Sequence, residues 1–152
     1  KDRPKNNIYW VIQFAVQTGL RRGEISNLKW TDIDRPNRLL TVRLSKTNNP
    51  RTMPLSESSM AVLGAVYGQS ESVFDMSTNA IRLAWQRLRK KAQLGDVRFH
   101  DLRHEAISRF FEMGLTVPEV ASISGHKTTS MLFRYAHADT QRLREKILNI
   151  NI

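Results

Sequence analysis

Cysteine is absent from this sequence of 152 residues. Its absence excludes disulfide bridges, thiolate nucleophiles and cysteine-based metal sites. Long apolar runs are also absent: none approaches the ~20 residues that a membrane-spanning helix needs, and the chain does not begin with the pattern of a secretory signal peptide. These absences favour a cytoplasmic protein that makes no membrane contact.

Negative charge is scarce. The chain has 14 Asp and Glu residues against 24 Lys and Arg residues, which gives a net charge of +10. The basic residues are spread through the sequence and do not form a tail, a pattern typical of proteins that bind a polyanion, most often nucleic acid. A basic and merely well-solvated surface is the alternative.

The length and the first residues bear on domain organisation. A chain of 152 residues is about the size of one domain and can bury a core. It begins KDRPKNN, without methionine. We therefore expect residues 1–152 to be a single domain, the C-terminal part of a longer protein that also has an N-terminal domain.

A period of 3.6 residues predicts helices over most of the chain. The first predicted helix ends at Gly19, a residue that suits the left-handed position after a helix. Suitable N-caps for later helices are Ser56, either Ser77 or Thr78, and Asp139. The predicted helical segments are NIYWVIQFAVQTG, RRGEISNLKW, ESSMAVLGAVYG, NAIRLAWQRLRKKAQLG, HDLRHEAISRFFEMG, TVPEVASISG, TTSMLFRYAH and TQRLREKILNI.

One segment has the period of a strand. Leu40, Val42 and Leu44 alternate with Thr41 and Arg43, which predicts a strand. The residues KTNNP form a turn, RTMPL returns as the second strand of a hairpin, and IDRP adds a third strand. The predicted fold class is therefore α+β: a mainly α-helical domain with a small three-stranded antiparallel β-sheet.

A helical wheel of HDLRHEAISRFFEM places two polar side chains among apolar ones. Arg103 and His100 fall within the arc that contains Ala106 and Ile107. A buried arginine near a helix N-terminus is unfavourable unless an anion meets it, so a bound phosphate would explain the pattern. The alternative is that Arg103 pairs with a buried carboxylate, such as Glu24, and that His100 is an ordinary core histidine.

Two further basic residues occupy suggestive positions. Arg21 follows the helix that ends at Gly19 and begins the next one, so it is again an arginine at a helix N-terminus. Lys46 shares the parity of Val42 and Leu44 and lies at the tip of the hairpin. Taken alone, Lys46 would be a solvated turn residue.

The stretch SGHKTTSMLFRYAH contains His126 and Tyr135, nine residues apart. In one continuous helix these side chains would lie on opposite faces. A bend at Gly125, with Thr128 or Thr129 capping a new helix, would bring them together. Without the other motifs, Tyr135 would be taken as a core residue.

Together these segments resemble the catalytic domain of the tyrosine recombinases, the phage integrase family. TGLRRGEISNLKWTDID resembles the first arginine box of that family, KTNNPRTMPL its β-hairpin lysine, HDLRH its His-x-x-Arg, and SGHKTTSMLFRYAH its Gly-His turn and nucleophilic tyrosine. Each segment alone is weakly specific. The four in the family's order, over nearly all of residues 8–138, are highly specific.

The resemblance implies a site-specific DNA recombinase that cleaves and rejoins strands through a 3′-phosphotyrosyl intermediate. It implies that Arg21 and Arg103 clamp one DNA phosphate and that His126 hydrogen-bonds the same phosphate. Tyr135 would attack phosphorus, and Lys46 would protonate the departing 5′-oxygen.

The resemblance also implies supporting roles. His100 would act as a base toward the tyrosine, and Glu24 would be a structural partner near Arg21. Because arginines, a lysine and histidines surround the phosphate, neither a metal nor another cofactor is expected. The covalent intermediate retains the bond energy, so rejoining needs no ATP.

The expected partners are double-stranded DNA and further copies of the chain. The resemblance implies a homotetramer on two recombination sites, with an N-terminal DNA-binding domain that closes a clamp around the DNA. In residues 139–152, Leu143, Ile147 and Leu148 form a stripe that docks either on its own domain or on a neighbouring protomer. We expect Lys127 to bind DNA, and we expect DNA-backbone contacts away from the cleaved phosphate from Arg82, Arg87, Arg89, Lys90 and Lys91.

Two other functions fit part of the sequence. A non-catalytic helix-turn-helix module, with Thr128 opening the recognition helix, would explain the charge and the Gly125 turn. It would not explain Arg21, or Arg103 on an apolar arc. A type IB topoisomerase would share the residues of the site but would relax DNA without exchanging strands.

Overall fold

The computed structural model of the protein describes residues 7–43, 50–68, 70–136 and 140–149. In these ranges no helix has the length and apolarity needed to cross a membrane. The helices are α1 (Ile8–Thr18), α2 (Arg22–Ser26), α3 (Glu57–Val66), α4 (Thr78–Lys91), α5 (Asp101–Glu112), α6 (Val117–Ser124) and α7 (Thr140–Leu148). The strands are β1 (Ile33–Asp34), β2 (Leu39–Val42) and β3 (Arg51–Pro54), and 3-10 helices occupy Trp30–Asp32 and Thr129–Leu132.

The three strands form one antiparallel sheet in the order β1-β2-β3. Leu40 pairs with Ile33 on one side and with Met53 on the other, and Val42 pairs with Arg51. Leu40, Val42 and Met53 are buried because the alternation along each strand turns them to the core. The predicted hairpin and third strand are confirmed. Leu44, Lys46 and most of the turn KTNNP lie outside the described residues.

Helix α1 runs through the main core and ends at a left-handed glycine. The Asn7 side chain accepts a hydrogen bond from the backbone N–H of Tyr9 at its start. Gly19 ends it with φ 71°, as predicted. A Cβ at Gly19 would lie 3.4 Å from the Ala106 Cβ, so α1 and α5 pass close together there. Large core side chains include Val11, Phe14, Leu20, Ile25, Leu40, Leu63, Phe74 and Ile81.

Serine caps begin α3 and α4. The Ser56 hydroxyl accepts from the backbone N–H of Ser59 at 3.1 Å. The Ser77 hydroxyl accepts from the backbone N–H of Ala80 at 3.0 Å, so Ser77 is the cap and not Thr78. These bonds satisfy N–H groups that have no partner within the helix. The third predicted cap, Asp139, lies outside the described residues.

The prediction of a helix over TTSMLFRYAH is wrong. Gly125 ends α6 with φ 75° and bends the chain, as predicted, but only the short 3-10 helix Thr129–Leu132 follows. Thr128 precedes it without a side-chain cap hydrogen bond. Leu132 is fully buried, whereas Met131 is 54% exposed. The segment therefore lacks the apolar stripe that would hold a longer helix against the domain.

Helix α7 is held by polar contacts. Arg142 donates hydrogen bonds to the carbonyl oxygens of Phe111 and Glu112 at the end of α5, at 3.5 and 3.2 Å. No residue of α7 is buried. Its apolar stripe is not covered by the described part of its own domain: half or more of each side chain is exposed at Leu143, Ile147 and Leu148.

Candidate active site

Arg103 is buried on α5, with 3% exposure, as its place in the apolar arc predicts. Its Nη1 donates to the carbonyl oxygen of Gly19 and its Nη2 to that of Ser124, both at 2.7 Å. These carbonyls are at the C-terminal ends of α1 and α6, where the helix dipoles are negative. The guanidinium group is thus fixed in place by neutral partners and keeps its charge.

The carboxylate of Glu24 binds Arg51, so the alternative of a Glu24–Arg103 pair is wrong. Arg51 Nη1 and Nη2 donate to the two carboxylate oxygens at 2.7 and 3.0 Å. Arg51 Nε donates to the carbonyl oxygen of Ile123 at 2.7 Å. The backbone N–H of Arg21 donates to Glu24 Oε1 at 2.9 Å. One buried carboxylate therefore ties β3, α6 and the start of α2 together.

Glu24 is ionised at neutral pH. Burial raises the pKa of its carboxyl group, but the hydrogen bonds from Arg51 and from the Arg21 backbone, with the charges of both arginines, hold the pKa below its usual value. In the described residues, the carboxylate that acts on the pKa of Arg103 is that of Glu24, and the guanidinium groups of Arg21 and Arg51 act on it with the opposite sign. Glu24 forms ion pairs with Arg51 and, at 3.7 Å, with Arg21, whereas the hydrogen-bond partners of Arg103 are neutral.

The Arg21 side chain has a hydrogen-bond donor that is not used within the described residues. Its Nη1 lies 3.7 Å from Glu24 Oε2, is buried, and has no hydrogen-bond partner in the described part of the chain. Burial, and then the charge of Arg21, lower the pKa of Arg103 to about 10. Unneutralised charge beside an unused N–H group is an arrangement that an anion stabilises.

His126 is a neutral donor beside the arginines. Its Nδ1 lies 2.5 Å from the hydroxyl oxygen of Ser124 and 3.5 Å from Arg103 Nη2. Burial, followed by the charges of Arg103 and Arg21, lowers its pKa to about 4. Because a guanidinium group can only donate, we assign Nδ1 as the acceptor and Nε2 as the protonated nitrogen. At pH 7 His126 can therefore donate through Nε2–H.

His100 lines the same cavity as the arginines, but its predicted burial is wrong. The residue precedes the first turn of α5 and, as a whole, is exposed, although its ring is partly shielded from solvent. Loss of solvent at the ring lowers its pKa, and the charges of His104, Arg103 and Arg21 lower it further. The cavity, of about 490 Å³, is lined by Arg21, His100 and Arg103.

Tyr135 lies on the neighbouring surface hollow, half-buried over the apolar cluster of Ile107, Val120 and Leu132. Its phenol oxygen is hydrogen-bonded to His104 Nδ1 and accepts from Arg134 Nη2 at 2.8 Å. In the described residues these are its hydrogen-bond partners, so the histidine at the phenol is His104 and not His100. The tyrosine is close enough to Arg103 to act on its pKa.

The basic residues of α4 separate into two groups. Arg82 and Arg89 line the 490 Å³ cavity together with Arg21 and Arg103. They therefore border the cavity that holds the two arginines of the site, and their DNA contacts stay a prediction. Arg87 lines a different hollow, beside the start of α1. Three predicted DNA contacts are simply exposed: Lys90, Lys91 and Lys127. Predicted residue Lys46 lies outside the described residues.

Two residues of the site lack a motif of their own, yet the sequence carries a signal for each. Arg51 shares strand parity with the buried Met53 and Leu55, so alternation alone points it inward. His104 follows Arg103 directly and is one helical turn from His100, which places the two imidazoles on one side of α5. The structure bears this out, with ring centroids 4.9 Å apart.

The described residues offer few side chains that could bind a metal ion. Across the described ranges, no group of three or more His, Cys, Asp or Glu side chains could hold a metal ion. The donors around the arginines are cations and neutral histidines. Such a set binds and polarises an anion by hydrogen bonds and charge.

Comparison with known proteins gives concordant matches. A sequence model of the phage integrase family matches residues 3–142. A shufflon-specific DNA recombinase of Escherichia coli is 38% identical over 148 residues, 95% of this chain and 38% of that protein. The integrase of Salmonella phage P22 is 29% identical over 161 residues, 93% of this chain and 42% of that protein. The chain thus spans less than half the length of these relatives.

Solved structures share the fold. The XerA recombinase superposes with a TM-score of 0.72 at 24% identity, covering 97% of this chain and 60% of that one. A λ integrase dimer bound to a COC′ core site superposes with a TM-score of 0.72 at 22% identity, covering 88% and 53%. These matches confirm the predicted fold class, mainly helical with a three-stranded antiparallel sheet.

Proposed function

Because this chain belongs to the phage integrase family, we propose that it is the catalytic domain of a site-specific DNA recombinase, which cleaves and rejoins DNA strands through a 3′-phosphotyrosyl intermediate. The observation that carries the proposal is the pair of arginines, Arg21 with an unused buried N–H group and Arg103 with neutral partners only, beside a neutral His126 and a tyrosine. DNA as the ligand is supported by the λ integrase and Tn1549 transposon integrase structures, whose chains are bound to DNA.

The arginines would act on the transition state. When a nucleophile attacks a phosphodiester, negative charge accumulates on the non-bridging oxygens. Donors that are already oriented stabilise that charge without reorganisation. The Gly19 and Ser124 carbonyls fix the Arg103 side chain, the Glu24 carboxylate lies 3.7 Å from the Arg21 guanidinium group, and His126 adds Nε2–H.

Tyr135 would be the nucleophile. Its oxygen bonds to phosphorus as the bond from phosphorus to the 5′-oxygen breaks, which leaves a 3′-phosphotyrosyl link and a free 5′-hydroxyl. A phenol with a pKa near 10 attacks poorly while protonated, so a proton acceptor and nearby cations are needed. The leaving oxygen takes a proton, for which Lys46 is the proposed donor.

A covalent-capture assay tests the function. The full chain is incubated with nicked duplexes from a random-sequence library, and adducts that survive detergent are recovered and sequenced. With a recovered duplex as substrate, a 5′ label should stay with the protein, whereas a 3′ label should leave on a fragment with a 5′-hydroxyl end. Labels that partition the other way, or an absence of adducts across the library, would rule the proposal out.

The other two functions are not favoured. A helix-turn-helix module needs a recognition helix after Gly125, and only the four-residue 3-10 helix Thr129–Leu132 is found there. A type IB topoisomerase would relax a supercoiled plasmid but would not exchange strands between two sites. The curated relatives named above are a recombinase and an integrase, which supports strand exchange.

The proposal extends to assembly. We include a homotetramer on two DNA sites and an N-terminal DNA-binding domain that acts with this one. The exposed apolar stripe of α7 supports assembly with other copies of the chain. The greater length of the relatives supports a further domain. Mass measurement of complexes with one-site and two-site DNA would test the tetramer, since a constant protein-to-site ratio of one would contradict it.

Lys46→Ala is expected to slow cleavage much more than it weakens DNA binding, because protonation of the leaving oxygen occurs only in the transition state. A recovered duplex with sulfur in place of the 5′-bridging oxygen supplies a better leaving group that needs no acid. Single-turnover rates on this duplex should return to within a few-fold of the unaltered chain for Lys46→Ala. They should not do so for Arg103→Ala, and equal rescue of both variants would contradict the role.

The double variant Arg82→Gln/Arg89→Gln should flatten the salt dependence of DNA binding. Each lost phosphate contact lowers the slope of log K against log salt by about 0.9, so the pair should lower it by up to about 1.8. Binding to random and recovered duplexes should weaken alike, since phosphate contacts carry little sequence information. Arg87→Gln/Lys91→Gln removes the same charge from other sides of the helix, and comparing the two slopes shows which of these predicted contacts lie on the DNA. A slope unchanged in the first variant would remove this face from the DNA-binding surface.

A further inference from the structure

His104 links the arginine cavity to the tyrosine. It follows Arg103 on α5, and its ring meets that of His100 edge to face. Its ring also stacks on Tyr135, with centroids 5.7 Å apart and an interplanar angle of 24°. Its Nδ1 is hydrogen-bonded to the phenol oxygen of Tyr135.

The surrounding donors fix the direction of this hydrogen bond. Arg134 Nη2 donates to the Tyr135 oxygen at 2.8 Å and also lies 3.5 Å from His104 Nδ1. A guanidinium group only donates, so the Nδ1 that faces Arg134 Nη2 is the unprotonated nitrogen, and the phenol gives its own proton to Nδ1 while its oxygen accepts from Arg134. We therefore assign His104 as the tautomer with its proton on Nε2.

The charges around His104 favour its neutral form. Burial lowers its pKa, and the charges of Arg134 on one side and Arg103 on α5 lower it further, while Asp101 raises it. His100, one turn earlier on α5, faces the ring as well. With a pKa below the usual 6.5, the imidazole is mostly unprotonated at pH 7 and can accept a proton. That capacity is lost as pH falls through the lowered pKa.

We propose that His104 is a catalytic residue, the acceptor of the Tyr135 phenol proton during DNA cleavage. The proposal rests on the proposed function. As the Tyr135 oxygen bonds to phosphorus, its proton moves to His104 Nδ1. The bond to the 5′-oxygen breaks with its electron pair, and that oxygen is protonated by a separate acid. Rejoining reverses each transfer, and Arg134 stabilises the phenolate as it forms.

His104→Phe provides the test, because phenylalanine keeps an aromatic ring for stacking and removes Nδ1. Single-turnover cleavage of a duplex recovered with the unaltered chain is measured from pH 5 to 9. The unaltered chain should lose rate tenfold per pH unit below the His104 pKa and be level above it. His104→Phe should be about 10²- to 10⁴-fold slower at pH 7. Its rate should keep rising to pH 9, as the phenol itself ionises.

Controls separate proton transfer from structure. Glu105→Gln changes the next residue, on the exposed side of α5, and should leave rate and profile unchanged. Added imidazole should restore part of the rate of His104→Ala but none of Tyr135→Phe. Nitrogen chemical shifts of the unaltered chain should show His104 protonated on Nε2, with Nδ1 shifting when Tyr135 is replaced by Phe. This measurement does not depend on how the His104 variants fold.

The outcomes are distinct. A His104→Phe rate within about twofold of the unaltered chain would overturn the proposal. So would a slow variant with an unchanged pH profile, since that behaviour belongs to a residue that only positions the tyrosine. If the unaltered chain forms no adduct with any duplex in the library, the proposed function itself fails. Adducts formed equally with and without His104 defeat only the inference about this histidine.

Discussion

Tyr135→Phe is expected to bind DNA as tightly as the unaltered chain and to form no covalent adduct. Only the phenol oxygen is removed, and the ring remains over Ile107, Val120 and Leu132. Loss of the nucleophile should lower the cleavage rate by at least about 10⁴-fold. The measurement is a time course of detergent-resistant adducts on a duplex recovered with the unaltered chain.

The matched control is Tyr67→Phe, which changes a tyrosine that is 66% exposed and packs on Trp30. This variant should cleave at the normal rate. Loss of the Tyr135 hydroxyl also removes hydrogen bonds to His104 and Arg134, which should cost about 1 kcal/mol of unfolding free energy. An adduct formed by Tyr135→Phe would identify another nucleophile and overturn the assignment.

Arg51→Met is expected to lower the free energy of unfolding by about 3–5 kcal/mol, because it leaves Glu24 as a buried charge without its main partner. The Arg51 side chain is 9% exposed and that of Glu24 is 3% exposed. The substitution also leaves the carbonyl oxygen of Ile123 without its donor. Denaturation in urea, followed by circular dichroism, measures the loss.

Lys29→Met is the control for Arg51→Met. It breaks an ion pair with Glu71 in which both side chains are more than half exposed, and such pairs contribute about 0–1 kcal/mol. Equal losses in the two variants would show that burial of the Glu24 pair has no special effect on stability.

The stability of Arg51→Met and that of the unaltered chain should also respond differently to acid. The pKa of Glu24 lies below its unfolded value, so its contribution to stability is present above the unfolded pKa and is lost as pH falls through the folded pKa. Without Arg51 the folded pKa rises. The dependence of stability on pH in the acid range should therefore be weaker in Arg51→Met than in the unaltered chain.

Sequence patterns of a few residues correctly predict those elements that depend only on neighbouring residues. The alternation at Leu40 and Val42 predicted the hairpin, and Gly19 and Gly125 predicted two helix ends, because each pattern reflects backbone geometry within a few residues. Arg103 stood out because a charge in an apolar arc is costly wherever the helix packs. A lysine at a hairpin tip has no such local signature, and only its place in an ordered set of motifs singled out Lys46.

Long-range contacts decided the rest. A wheel assigns His100 to the buried arc, but burial depends on which elements pack against that end of α5, and His100 is exposed in the described part of the chain. The partner of Glu24 is 27 residues away on β3, so spacing along the chain could not identify Arg51. The segment after Thr128 forms only a short 3-10 helix, in which Leu132 is the buried side chain. Its conformation therefore depends on the packing of Leu132 against the domain and could not be read from the helix propensity of the segment.

The two carbonyl bonds of Arg103 also make the position of its guanidinium group a property of the whole fold. The bond to Gly19 spans 84 residues of chain and the bond to Ser124 spans 21, so the guanidinium group is seated only after both helix ends have docked on α5. Contacts between distant parts of a chain slow folding, because loop-closure entropy opposes them until they have formed. The Arg103 guanidinium group therefore reaches this position only in the folded domain, and no fragment that lacks the end of α1 or of α6 can hold it there.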